Sequence, residues 1–248
     1  ALTGLLLALC LPASLPSYMA VLGGMFGVVI GKAIFGGLGK NIFNPAHIGR
    51  AILLASFPQQ MTTWVIPATK AAAVTAATAG ANATTAATPL AVMRMTEKVW
   101  QAGGAAASQL PPLSDLFIGN IGGSLGETCV PALVLGGLYL IWKKLIDWRI
   151  PVFYLATVAV ITGIYGAVMG YPSTFPLYHL FAGGLMIGAF FMATDWVTSP
   201  ITKKGKIIYA IGLGLLTSLI RLRGSYTEGV CYSILIMNCT TWLLDKYI

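Results

Sequence analysis

From Ile150 to Ser199 the chain carries one formal charge, at Asp195. A soluble domain cannot coat itself with water-facing groups from such a sequence. Apolar runs of about 17–25 residues have the length that carries a helix across a bilayer. Six stretches approach it: Ser17–Phe35, Thr128–Ile146, Pro151–Met169, Leu177–Thr194, Ile207–Ile220 and Val230–Leu244. The last two are short and need their flanking residues. Inside hydrocarbon, backbone groups are satisfied only in helices or closed barrels, and runs of this length select helices. The predicted class is an all-α integral membrane protein, a multi-span bundle. Composition agrees, with 57% hydrophobic and 9% charged residues, where a soluble domain carries roughly 25% charged. The opening "ALTGLLLALCLPASLP" has no basic leader region and does not read as a signal peptide. It reads as the inside of a hydrophobic element clipped at its N-terminus.

The charge balance is +8, from 15 Lys and Arg against 7 Asp and Glu. The basic residues gather between apolar runs, as the positive-inside rule expects, so nucleic acid is not the predicted partner. "WKKLIDWR" (142–149) and "TKKGK" (202–206) flank one hairpin of two spans. Both basic loops then face the cytoplasm, and "GYPSTFP" (170–176) lies outside. Counting backwards puts the long loop before span 128–146, Thr88 included, outside as well. "LSDLFIGNIGGS" (113–124) is too short to cross. It is an outer loop or a half-helix that dips in and returns.

Two regions depart from simple spans. "GGLGKNIFNPAHIGRAILLASFP" (36–58) and "RLRGSYTEGVCYSILIMN" (221–238) share a plan of polar, glycine-containing backbone followed by a short apolar helix. They suggest an internal repeat with a period near 190 residues. Irregular backbone at membrane depth must be buried in protein or line a cavity, and paired breaks in two halves point to a central site. With Pro45 in the first turn, Asn44 is the N-cap candidate and Arg50 falls on the second turn. The alternative is a basic loop at the head groups. His47 reads as a structural histidine. Glu127, Asp195 and Glu228 are carboxylates near apolar spans, where ionisable groups tend to be functional. Glu127 and Asp195 serve equally as helix caps, and Glu228 as the local partner of Arg221 or Arg223. Cys10, Cys129, Cys231 and Cys239 form no C-x-x-C pair, and no metal or catalytic motif is present.

"TGLLLALCLP", "GGLGKNIFNPA", "NIGGSLGET", "MATDWVTSP" and "EGVCYSILIMN" occur in that order over nearly the whole chain. Together they resemble the D-subunit family of the Rnf complex, an ion-translocating ferredoxin:NAD oxidoreductase of bacterial membranes. They also resemble the homologous B subunit of the sodium-pumping NADH:quinone reductase. The resemblance implies a urea-channel-like fold, two membrane repeats with re-entrant half-helices. It implies FMN bound covalently through its phosphate to a threonine, within a pattern like D-x-x-[ST]-G-A-T. In "NATTAATPLA" (82–91) Thr88 takes the acceptor place and Thr85 the Ser/Thr place. Asn82 and Ala86 depart from the pattern's Asp and Gly. A non-covalent riboflavin is implied by the sodium-pump homologue, with the segment of Asn44 and Arg50 and its Glu228 counterpart as its expected place. Implied partners are a second FMN-bearing subunit, iron–sulfur subunits and the lipid bilayer; the implied place is the bacterial cytoplasmic (inner) membrane, multi-pass.

The expected organisation is a first membrane repeat over 1–58, an extracytoplasmic flavin-bearing loop over 59–112, and the remaining spans with the second repeat over 113–248. The expected activity is electron relay through FMN in a complex that moves Na⁺ or H⁺, the chain not being catalytic alone. Glu127, Asp195 and Glu228 are the ion-path candidates. The rival reading is a channel or transporter for a small neutral solute, which the two breaks would suit equally.

Overall fold

A computed structural model describes residues 1–65, 85–86, 88–94, 110–224 and 228–248. It is predominantly helical. Helix α1 (Leu2–Leu9) is followed by α2 (Ser17–Val28), which continues as a π turn through Val29–Ala33. Next come α3 (Pro45–Ser56) and the single turn α4 (Pro58–Met61). A two-residue ladder pairs β1 (Trp64–Val65) antiparallel with β2 (Thr85–Ala86), Trp64 opposite Ala86. Residues 89–94 form α5 and Leu113–Ile118 form α6. Then follow α7 (Val130–Trp142), α8 (Arg149–Met169), α9 (Phe175–Phe181) and α10 (Leu185–Ile187), the last continued by a π turn, Gly188–Met192. Lys203–Arg223 and Val230–Tyr247 complete the chain as α11 and α12.

Among the described residues, α8 and α11 are long and apolar enough to cross a membrane, and a bent pair makes a third candidate. The short apolar stretches predicted at 207–220 and 230–244 are extended by their flanks, as expected. On α8 the buried residues Tyr154, Val158, Thr162 and Gly166 recur every fourth position in a single stripe, Tyr154 bonding Thr217 of α11 and Gly166 facing Phe175 of α9. Val160, Ile164 and Val168 are exposed on the other faces. Exposed apolar side chains of this size are what lipid solvates.

Two predictions need correction. The apolar run Leu177–Thr194 is not one helix. It is α9 and α10 with its π turn, bent by 62°, and Gly183 takes φ +69° at the break. A straight helix through residues 182–184 would close its own carbonyls. Here an outside donor, Arg221, takes them instead. The run Thr128–Ile146 yields a helix of only 13 residues, about 20 Å long at 1.5 Å per residue, short of a 30 Å core.

The first half is closed by glycine contact. Gly23, Gly27 and Gly31 lie one turn apart on α2 and face α3. A Cβ on Gly27 would stand 2.6 Å from the Pro45 carbonyl oxygen, and one on Gly49 would stand 2.4 Å from that of Gly23. Only bare backbone permits this approach, the small-residue packing common between membrane helices.

Candidate functional site: a buried ionic junction between two helix breaks

Asn44 caps α3 as its local chemistry predicts. Its Oδ1 accepts from the N–H groups of Ala46 (3.0 Å) and His47 (3.4 Å), with Pro45 at the first helical position. The remaining amide hydrogen reaches across the molecule to the Met192 carbonyl at 3.2 Å. With its amide oxygen turned to the Asn44 N–H, 3.0 Å away, Asn238 donates to Tyr209 Oη at 2.8 Å. Cys231 Sγ lies 3.4 Å from the His47 carbonyl oxygen. The start of α3 is thereby tied to the start and middle of α12 and to the end of the π turn after α10.

One turn further along α3, the buried Arg50 forms an ion pair with Glu228. This corrects the expected local pairing of Glu228. Its carboxylate goes to Arg50, 178 residues away, while Arg221 takes only its main-chain oxygen. Arg221 Nε donates to the Glu228 carbonyl at 2.8 Å and Nη2 to the Ala182 carbonyl at 3.2 Å, and Nη1 donates to that of His179. The two carbonyls at 179 and 182 are among those that the α9–α10 break leaves without helical partners. A guanidinium is suited to the end of a helix, where the dipole is negative and acceptors are free.

Glu127 is the third carboxylate, and it does not cap a helix. Cys129 holds the N-cap place of α7, and Glu127 Oε1 instead accepts from the Ser124 N–H at 3.0 Å inside its own turn. Its side chain reaches the α9–α10 break. A Cβ on Gly184 would stand 3.0 Å from Glu127 Oε2 and 3.6 Å from Arg50 Nη1. Glu127 Oε2 and Glu228 Oε1 find no donor among the described residues. Two arginines and two glutamates thus meet where the second half's breaks abut α3. His47 is buried beside them with neither ring nitrogen partnered among the described residues.

Asp195 is elsewhere. The helix and π turn over 185–192, about 12 Å long, separate it from Gly184. It caps no long helix, since Thr202 does that for α11. Its Oδ2 accepts from Thr198 Oγ1 at 3.1 Å, and it lines a cavity of about 110 Å³ with Lys32, Asn41 and Asn44. Of the three ion-path candidates, two are brought together and one is not.

Thr88 is 7% exposed. It stands at the N-terminus of α5, where its Oγ1 accepts from the Ala91 N–H at 3.2 Å, with Pro89 next in the chain. The expectation of an accessible loop hydroxyl is corrected at this residue: the hydroxyl is a buried helix cap. An oxygen that only accepts can carry an ester and still accept, so the arrangement fits a phosphoester. The Thr85 side chain, Asn82 and Ala87 lie outside the described residues. Leu90 and Met93 join Leu116, Tyr171, Phe175 and Tyr178 in a buried cluster. A Cβ on Gly183 would stand 2.8 Å from Leu90 Cδ1 and 3.3 Å from Arg221 Nη2. The turn that follows Thr88 therefore rests against the ionic junction.

Fold and site define a helical membrane protein with a cluster of ionic side chains buried at its helix breaks. The chain belongs to the NQR2, RnfD, RnfE family, whose model matches residues 1–248. It is 51% identical to the D component of the proton-translocating ferredoxin:NAD(+) oxidoreductase complex of Clostridium ljungdahlii, over 99% of this chain and 71% of that one. It is 46% identical to the corresponding component of the Na(+)-translocating ferredoxin:NAD(+) oxidoreductase complex of Acetobacterium woodii, over 99% and 69%. With the D component of the ion-translocating oxidoreductase complex of Stutzerimonas stutzeri the figure is 39%, over 99% and 72%.

Proposed function

We propose that the chain is the flavin-carrying membrane subunit of a complex that couples ferredoxin:NAD oxidoreduction to Na⁺ or H⁺ translocation, with FMN held covalently at Thr88. The relatives' names support the complex, and one observation supports the site. Thr88 heads the turn whose Leu90 packs beside Gly183 and Arg221, so a group on that hydroxyl has the ionic junction as its neighbour. Bound FMN would supply the electron-transfer chemistry. The chain's own part is to hold the phosphoester oxygen, seat α5 through Leu90 and Met93, and keep water from the junction. In this reading Glu127 and Glu228 form the inner ion station, and Asp195 a separate one. The two helix breaks are the re-entrant elements of two membrane repeats in the inner membrane, with Thr88 on the extracytoplasmic side. A second FMN-bearing subunit and iron–sulfur subunits complete the electron path.

A non-covalent riboflavin belongs to the same reading at the Asn44–Arg50 segment. The cavity of about 110 Å³ beside Asn44 is below the roughly 300 Å³ of ordinary ligand pockets.

The test is a mass spectrum of the peptide containing Thr88 from a host able to flavinylate, together with flavin fluorescence on a denaturing gel. The expected result is an FMN-sized adduct that Thr88→Val abolishes. An unmodified peptide, with solute flux through the isolated chain in liposomes, would replace this reading with that of a channel. Release of free riboflavin on denaturation supports the second flavin, and its absence removes it.

A further inference from the structure

A different cavity lies along the same segment as Asp195. It lies between the turn after α7 and the turn before α11, and measures about 450 Å³. Its wall includes Lys144, Asp147, Trp148, Arg149, Trp196 and Lys206. The one carboxylate is already engaged. Asp147 accepts from Arg149 Nη1 at 3.0 and 3.1 Å and from Lys206 Nζ at 3.1 Å, which fixes two cations side by side. Three cations against one carboxylate leave the wall two charges positive.

Lys144 adds a second observation. It ends α7 in the left-handed region, at φ +55°. The Lys144 and Leu145 N–H groups close on the Ile141 and Leu140 carbonyls, and this helix termination sets Lys144 in the cavity wall. The opening is not polar throughout. Trp196 is 75% exposed and Ile201 81%, and Leu145 and Trp142 are exposed beside them. Indoles and lysines in this association mark the head-group level of a bilayer.

A cationic floor and an apolar rim on one opening match an amphiphile. We propose that this cavity binds the head-group phosphate of an anionic phospholipid, with Lys144, Arg149 and Lys206 facing the phosphate and Trp196 and Ile201 facing the acyl chains. A zwitterionic lipid brings an ammonium group into the same positive field and is disfavoured. A free phosphate gains nothing from the rim. An acidic protein segment would use the cations but leave the rim in water or lipid.

The experiment uses the whole complex purified in mild detergent and delipidated, then titrated with short-chain phosphatidylglycerol, phosphatidylcholine or inorganic phosphate, with bound lipid counted by native mass spectrometry. Phosphatidylglycerol is expected to bind and phosphatidylcholine to wash out. Lys144→Asn with Lys206→Gln weakens phosphatidylglycerol about 30-fold, two surface cations' worth; asparagine tolerates the left-handed backbone. Ile201→Glu, at an exposed rim position, also expels it while leaving the fold intact, and Lys246→Gln, outside the cavity, changes nothing. Equal retention of the two lipids overturns the proposal. So does phosphate binding as tightly as phosphatidylglycerol. Loss of a neighbouring protein from the double variant, with lipid retention unchanged, assigns the cavity to a protein partner instead.

Discussion

Replacing Arg221 tests whether the helix break at 182–184 is held open by one side chain. Arg221→Met keeps the length and removes the donors. Three carbonyls then lose their partner: those of His179, Ala182 and Glu228. A bond from a charged donor to a buried acceptor is worth about 1.5–3 kcal/mol, so three come to about 4.5–9 kcal/mol. Methionine also removes the burial cost of a guanidinium, several kcal/mol. The net expectation is a loss of about 3 kcal/mol, or about 6–12 °C of thermal midpoint for a chain of this size. Arg221→Lys keeps the charge but not the planar fork, and reaches fewer of the three acceptors. It should lose about half as much. The assay is thermal unfolding in detergent, with amide exchange read at residues 182–186 and 228–231. Exchange should rise there and stay unchanged in the middle of α8. If Arg221→Met melts with the wild type, or Arg221→Lys behaves as the wild type does, the guanidinium is not what holds the break.

Three further outcomes are expected. Arg50→Met strands the Glu228 carboxylate and should cost about 3–5 kcal/mol, whereas Arg50→Met with Glu228→Met should regain most of that loss; additive losses in the unfolding midpoints would show that the ion pair is not coupled. Gly49→Ala drives a methyl to 2.4 Å from the Gly23 carbonyl oxygen and should destabilise by about 1–3 kcal/mol, against a near-neutral Gly24→Ala, whose Cβ meets nothing within 4 Å. Burial works against the charge on Asp147, but the Arg149 N–H and Lys206 hold its carboxyl below the usual value of 3.8. A depressed carboxyl stabilises the fold above the ordinary carboxylate value and loses that contribution as pH falls through its own lower one. The midpoint difference between wild type and Asp147→Asn should therefore be full at pH 7 and vanish at acid pH; a difference independent of pH would refute it.

What the sequence made legible was local. Asn44 followed by Pro45 is a cap-and-first-turn signature wherever it occurs, and the cap is there. The span at Arg149–Met169 is a plain apolar run and folds as one. Thr88 before Pro89 carries the same start signal as Asn44 before Pro45, but the small-residue composition around it reads as loop. The break in the run Leu177–Thr194 had a signal in "AGGL", yet glycine pairs are ordinary in membrane helices, and nothing local says that Arg221 will take the freed carbonyls. The partner of Glu228 was not legible at all. Arg221 and Arg223 are nearer in the chain, and only the packing of α12 on α3 brings Arg50 within reach.

The junction is a poor device for stability alone. Replacing buried ion pairs by well-packed apolar side chains is often neutral or stabilising, and ionisable groups at membrane depth usually serve function. Arg221 is consumed by three main-chain oxygens and has little left for a carboxylate. Arg50 is therefore the arginine whose side chain bonds a carboxylate, and Glu228 Oε1 and Glu127 Oε2 lack donors among the described residues. The charges balance, two arginines against two glutamates, but those two oxygens leave room for a proton or a small cation to bind. In the reading proposed above, the Glu228 end of that carboxylate pair lies at Gly183 near Leu90, two residues after the flavin-bearing threonine. Added negative charge at Thr88 would favour uptake of the cation, and oxidation would favour its release. Coupling of this kind needs no contact between flavin and ion, only a shared low-dielectric wall, which Leu90, Phe175 and Tyr178 provide.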